Sequence, residues 1–99
     1  DESAISNLNE LGEIKTAFYE ALAAKLKTEI PAVTEKMKTI NDNASAEGID
    51  WEGVHAEVTA CSGKINLLSA EYKLKLTKEI AAFDIQKSKF EKNYSNRAN

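Results

Sequence analysis

The two side chains with the most reactive chemistry are the only histidine and the only cysteine, His55 and Cys61. A cysteine nucleophile needs the imidazole of its base within hydrogen-bonding reach. On one helix, a separation of six residues turns the two side chains about 240° apart, at about 100° per residue. The spacing therefore predicts that they face different sides, with Cys61 in the core as a small apolar residue and His55 toward solvent.

Other patterns that carry chemistry are sparse in this sequence. One histidine and one cysteine are too few for the usual zinc or iron site, so we expect no metal and no cofactor. We find no glycine-rich phosphate loop, no nucleophile elbow and no carboxylate pair on an apolar face. The residue types therefore predict a protein that is not an enzyme.

The lysines near the C-terminus raise the question of nucleic-acid binding. Six lysines lie between residues 73 and 92, interleaved with aromatic residues, a pattern that on another backbone could bind a single strand. Here the aromatic residues follow the apolar stripe of a helix and the lysines lie off it. We interpret the region as a solvated helix face with ion pairs such as Glu71 with Lys75.

Length and composition indicate one helical domain spanning residues 1–99. The chain is 42% hydrophobic and 29% charged, with one proline and four glycines, which is too apolar for a disordered tail. Its net charge of -3 would repel phosphate backbones and acidic lipids. A single cysteine cannot form an internal disulfide, and no apolar run is long enough to span a membrane.

The first half carries one long helical stripe, with every step three or four residues. Pro31 interrupts it, so that the helix either kinks there or divides into two, and the unbroken phase favours a kinked continuous helix. The stripe consists of Ile5, Leu8, Leu11, Ile14, Phe18, Leu22, Leu26, Ile30, Val33, Met37 and Ile40.

The second half carries a similar stripe and predicts a helix over about residues 51–95, with Asp50 as its N-cap and Ser62-Gly63 as its weakest point. The polar segment 41–50 is short enough to make the two rods antiparallel neighbours. Residues 1–52 have a net charge of -6 and residues 53–99 a net charge of +3, which favours that pairing. The stripe consists of Trp51, Val54, Val58, Cys61, Ile65, Leu68, Tyr72, Leu76, Ile80, Phe83, Phe90 and Tyr94.

These patterns predict an all-α fold, an elongated antiparallel helical hairpin, with a three-helix bundle split at Pro31 as the alternative. A further apolar row widens the second helix beyond what one neighbour can cover, and consists of Leu67, Leu74, Ala81 and Ile85. We therefore expect a homodimer or a protein partner. The predicted partner-binding residues are Leu67, Tyr72, Leu74, Phe83 and Ile85, and the alternative is that these five form the protein's own core.

One tripeptide stands apart, Trp51-Glu52-Gly53 at the turn between the predicted rods. An indole there can close the open end of the hairpin, and Gly53 can let the opposing backbone approach closely. With its length, layout and acidic balance, the chain resembles the WXG family of small helical-hairpin proteins exported by type VII secretion systems. The resemblance implies a small, non-enzymatic protein, secreted or secretion-associated, that acts through contacts between helices.

Two other functions remain open at this stage. One is an intracellular adaptor, chaperone or immunity-type inhibitor of one cognate protein, which would be cytoplasmic. The other is an extracellular three-helix domain that binds a ligand or a receptor.

Overall fold

The fold is all-α and elongated, as the sequence predicts. A computed structural model describes residues 2–98, with the side chains of residues 12–96, and measures 63 × 24 × 17 Å. Its helices are α1 (Glu2–Asp42), α2 (Trp51–Leu67), α3 (Ala70–Lys75) and α4 (Thr77–Ala98).

Helix α1 runs through Pro31 without interruption, so the prediction of one continuous first helix is confirmed. Pro31 lacks the amide hydrogen that would donate to the carbonyl one turn earlier, which costs helix stability. Its neighbours on the stripe offset that loss, because Ile30 is fully buried and Val33 is 6% exposed. Packing of the apolar face therefore decides that α1 continues where local preference would end it.

Helix α2 begins where the sequence predicts, after a turn in which Gly48 has a positive φ of 81°. Asp50 is its N-cap, and its Oδ1 accepts a hydrogen bond from the Gly53 amide at 3.0 Å. Trp51 follows directly and is 8% exposed. The cap thus fixes the point at which the indole enters the core.

The prediction of a single second helix over residues 51–95 is wrong. Helix α2 ends at Leu67, and the next two residues are extended, with ψ of 144° at Leu68 and 163° at Ser69. The break lies five residues beyond Gly63, the weakest point in the predicted helix. The apolar stripe could not reveal the break, because Leu68 and Tyr72 face the same core on either side of it.

These two extended residues reverse the chain and produce three packed segments. Glu29 pairs with Lys64 and Lys36 with Glu57, each at 2.8 Å, so α2 runs antiparallel to α1. Tyr19 contacts Tyr72 near one end of the bundle and Asn41 contacts Gln86 near the other, so α3 and α4 run parallel to α1. The arrangement is the three-helix alternative, but the chain divides at Leu68-Ser69 and not at Pro31.

The core lies between α1, α2 and the α3–α4 segment. Its largest fully buried side chains include Phe83, Phe90 and Met37. Among the side chains described, the first one of α1 that packs against this core is Tyr19. Residues 12–18 of α1, which precede Tyr19, are all exposed, so this part of the helix projects beyond the bundle.

The cap of α2 leads to a prediction about two glycines of the same helix. A Cβ at Gly53 would collide with the Asp50 carboxylate, whereas a Cβ at Gly63 would meet nothing within 4 Å. Alanine is a better helix former than glycine by about 0.5–1 kcal/mol, and an N-cap contributes about 1 kcal/mol. We expect G63A to raise the free energy of unfolding by about that propensity difference, and G53A to raise it little or lower it.

Urea unfolding followed by circular dichroism measures both changes, and the Asp50→Ala variant supplies the control. Without the carboxylate there is nothing for the new methyl group to displace, so Gly53→Ala should stabilise the Asp50→Ala protein as much as Gly63→Ala stabilises the original one. Equal effects of the two glycine substitutions in the original protein would contradict this account of the cap.

Candidate functional site

An apolar row on the outer side of the α3–α4 segment is the candidate site. Leu74 is 75% exposed and Ile85 is 58% exposed, with the exposed Ala81 between them. Leu74 and Ala81 line one groove across the joint between α3 and α4. The spacing of four residues keeps Ile85 within about 40° of Ala81 around α4. The core residues Leu76 and Phe83 lie on the opposite side of the same segment. The row therefore faces solvent at the point farthest from the core.

A shallow groove of about 330 Å³ lies beside the part of this row from Leu74 to Ala81. It lies where α3 joins α4, and the joint is held by a hydrogen bond of 2.7 Å from the Thr77 hydroxyl to the Leu74 carbonyl. The groove is open and is lined mainly by apolar surface, which suits the apolar side chains of a partner. Its lining residues are Lys73, Leu74, Thr77, Ile80, Ala81 and Asp84.

Three lysines lie close to the row. Lys78, Lys89 and Lys92 are exposed, and their positions on α4 place them within about 40° of Ile85 around the helix. Residues 70–98 contain seven basic and four acidic residues, a net charge of +3. The outer face of α3–α4, defined by Leu74, Ala81, Ile85 and these three lysines, thus combines an apolar row with a net positive charge, with Asp84 as an acidic residue in the groove.

The predicted partner-binding residues divide into two groups. Leu67, Leu74 and Ile85 are exposed, although Leu67 lies at the end of α2 and apart from the row. Tyr72 and Phe83 are 8% and 1% exposed and belong to the chain's own core, the alternative reading of these residues. These two aromatic residues are therefore not available on the surface, because the reversal at Leu68-Ser69 folds their side of the segment onto α1.

The two motif residues at the turn have clear structural roles. Trp51 packs against Phe90 of α4, with the ring centroids 5.8 Å apart and the planes 24° from parallel. The expectation that Gly53 admits an opposing backbone is wrong, because the group closest to it is the side chain of Asp50. Trp51 thus closes this end of the bundle, and Gly53 leaves room for the helix cap.

The expectation that His55 faces solvent is also wrong. Its imidazole stacks on the Tyr94 ring at 4.1 Å with the planes 4° from parallel, and it is partly buried. The Tyr94 hydroxyl donates to the Glu52 carboxylate at 3.0 Å. The sequence gives no signal for this cluster, because it requires α4 to run back alongside α2.

Cys61 is buried in the core, as the sequence predicts. The pKa of its thiol is raised from 9.0 to about 11, chiefly by burial and to a smaller extent by the negative charge of Glu29, while the positive charge of Lys64 opposes the rise. The thiolate, which is the reactive form, is therefore disfavoured at neutral pH. Cys61 and His55 occupy different environments on α2, which does not favour a catalytic pair.

The sequence analysis missed a second exposed apolar surface, on the projecting part of α1. Ile14 is 65% exposed and Phe18 is 52% exposed. They belong to the first apolar stripe but were not among the predicted partner-binding residues. A signal for them was present, since the steps from Ile5 to Ile14 are all three residues and turn the stripe progressively around the helix.

The described residues contain no group of three or more histidine, cysteine or acidic residues placed to hold a metal ion. No helix among them is both long and apolar enough to cross a membrane.

Comparison with protein-family models, with curated proteins and with solved structures finds no match for this chain.

The thiol leads to a prediction about reactivity and pH. Because Cys61 is buried and its pKa is about 11, we expect a disulfide reagent to modify native protein far more slowly than protein unfolded in urea. The fold favours the protonated thiol, so its contribution to stability is complete below pH 9 and is lost as the pH rises toward 11. The Cys61→Ala variant should lack this part of the pH dependence. Equal reactivity of native and unfolded protein would contradict the burial of Cys61.

The Tyr94 contact leads to a prediction about a second titration. The hydrogen bond to Glu52 raises the pKa of Tyr94 above its usual 10.0, with smaller contributions from burial and from the Glu52 charge. In the Glu52→Ala variant, we expect this pKa to return toward 10, as followed by NMR of labelled tyrosine rings. Tyr72 is the internal control, because burial is the main cause of its raised pKa. A Tyr94 pKa that does not respond to the substitution would refute the contact.

Proposed function

We propose that this chain is a small non-enzymatic protein that acts by recognising another protein, with the outer face of α3–α4 as its docking surface. The observation that carries the proposal is the exposure of Leu74 and Ile85 on one row. The free chain leaves these two large aliphatic side chains exposed beside a groove. Burying them against a partner would stabilise the complex by about 25 cal/mol per Å² of apolar surface.

The chemistry of the described residues supports recognition rather than catalysis. The thiol of Cys61 is buried with a raised pKa, and the imidazole of His55 is stacked on the ring of Tyr94. The overall charge of -3 also makes a nucleic acid an unfavourable partner, although the outer face of α3–α4 is locally basic. We therefore assign the face to a protein surface that offers apolar and acidic side chains.

The three-helix arrangement supports a second candidate, a domain that binds a ligand or a receptor outside the cell. Its up-down-up packing buries the apolar stripe of α1 from Leu26 to Ile40 within one chain, so that a single copy forms its own core. In that case the same outer face would bind one cognate molecule. Affinity capture with the Leu74→Asp variant tests both candidates, since each requires Leu74.

The resemblance to the WXG family supports a secretion-associated role through Trp51 and Gly53, which lie at the start of α2 after the turn. The long second rod implied by that resemblance is replaced here by two segments that pack antiparallel to each other. We therefore base the proposed function on the outer face of α3–α4, and the proposal of secretion rests on the resemblance alone.

We expect the tagged chain to capture one specific protein from its native source, and the Leu74→Asp variant to lose that protein. A carboxylate at position 74 would place an uncompensated charge at the centre of the contact, and such substitutions weaken binding by about tenfold or more. Affinity capture followed by quantitative mass spectrometry measures the loss.

The matched control is Leu67→Asp, which places the same charge on an exposed leucine outside the row. It should retain the captured protein, and circular dichroism should show that both variants remain folded. Capture that survives Leu74→Asp, or is lost equally in both variants, would overturn the assignment of this face.

A further inference from the structure

The projecting part of α1 and the outer face of α3–α4 are two uncovered surfaces of the same chain. The first presents Ile14 and Phe18 to solvent, and the second presents Leu74 and Ile85. Because the bundle begins at Tyr19, the projecting part of α1 has no segment of its own chain packed along it among the residues described. Each surface is a single helical face, which suits packing against one other helix.

The two surfaces have opposite charge. Residues 1–20 contain five acidic residues and one lysine, a net charge of -4, whereas residues 70–98 have a net charge of +3. Glu13 and Glu20 are exposed near the apolar residues of α1, and Lys78 and Lys89 are exposed near the row on α4. Such pairs contribute little individually, but opposite potentials favour contact between these two faces over contact of either face with itself.

Both surfaces lie on stretches of helix that a helix of another copy can contact. The row from Leu74 to Ile85 extends over 11 residues, or about 16 Å, and Ile14 and Phe18 lie one turn apart on the exposed stretch 12–18 of α1. These two side chains of α1 can therefore pack against part of the row. This part of α1 cannot fold back onto the row of its own chain without breaking the helix, because α1 is continuous from there into the bundle.

We propose that the occupant of the outer face is a second copy of this chain, and that two copies exchange contacts about a two-fold axis. The acidic half of α1 from each copy lies on the basic outer face of α3–α4 of the other. This inference rests on the proposed function and names its partner. Two copies cover all four surfaces, so the assembly closes as a dimer and leaves no open end for growth.

Sedimentation equilibrium tests the proposal on the full chain, from micromolar to near-millimolar concentrations, at low and at high salt. We expect a dimer that weakens at high salt, because part of the attraction is between exposed charges. Ile85→Asp should weaken it by about tenfold or more, whereas Leu67→Asp, at a leucine with the same 58% exposure, should leave it unchanged.

A mixing experiment tests the reciprocal exchange. Phe18→Asp damages only the α1 surface and Ile85→Asp damages only the outer face, so each variant alone should be a monomer. In an equimolar mixture, one contact pairs an intact α1 surface with an intact outer face, and we expect a heterodimer that is weaker than the original dimer. Circular dichroism confirms that both variants are folded before they are mixed.

The outcomes separate this inference from the proposed function. A monomer at every concentration, a dimer that resists Ile85→Asp, a mixture without heterodimer, or growth to larger species would each overturn the exchange. If the chain is a monomer yet binds another protein through Leu74, the proposed function stands and the second copy is excluded. If the dimer forms as described and nothing else is captured, the outer face serves self-association.

Discussion

The structure depends on one surface, the buried stripe of α1 between Leu26 and Ile40. Helix α2 packs against it from one side and the α3–α4 segment from the other, so both returning segments share the same five side chains, Leu26, Ile30, Val33, Met37 and Ile40. A buried aliphatic side chain contributes about 1.5–3 kcal/mol relative to an exposed one. Because both interfaces draw on this stripe, any change that loosens it loosens the entire bundle, and the passage of α1 through Pro31 follows from the same constraint.

Polar contacts set the register that the apolar stripe alone leaves open. Glu29 and Lys64 pair across α1 and α2 with partly buried side chains. Asn41 donates to the backbone and side chain of Gln86 and accepts from Asn93, which joins α1 to α4. A sliding shift of one turn would leave these amide groups without partners in a partly buried place, so they select one alignment among several of similar apolar burial.

Much of the fold could be predicted from the sequence, and the failures have a common cause. The length of α1, the start of α2 at Trp51 and the burial of Cys61 follow from spacing and capping, which are local properties. The reversal at Leu68-Ser69 does not, because side chains that repeat every three or four residues report which face is buried and carry no information about chain direction. The candidate site shows the same division: Leu74 and Ile85 were identified from their spacing, whereas the burial of Tyr72 and Phe83 and the exposure of Phe18 depend on where the returning segments pack.

The up-down-up order has an electrostatic consequence for the backbone itself. Each helix carries a dipole equivalent to about half a positive charge at its N-terminus and half a negative charge at its C-terminus. Parallel α1 and α4 bring two negative ends to the same end of the bundle, where α1 has no basic residue in its last turn. The N-terminus of α2 enters at that same end, and its positive pole lies beside them. The middle helix therefore compensates the repulsion between the outer two, in addition to completing their core.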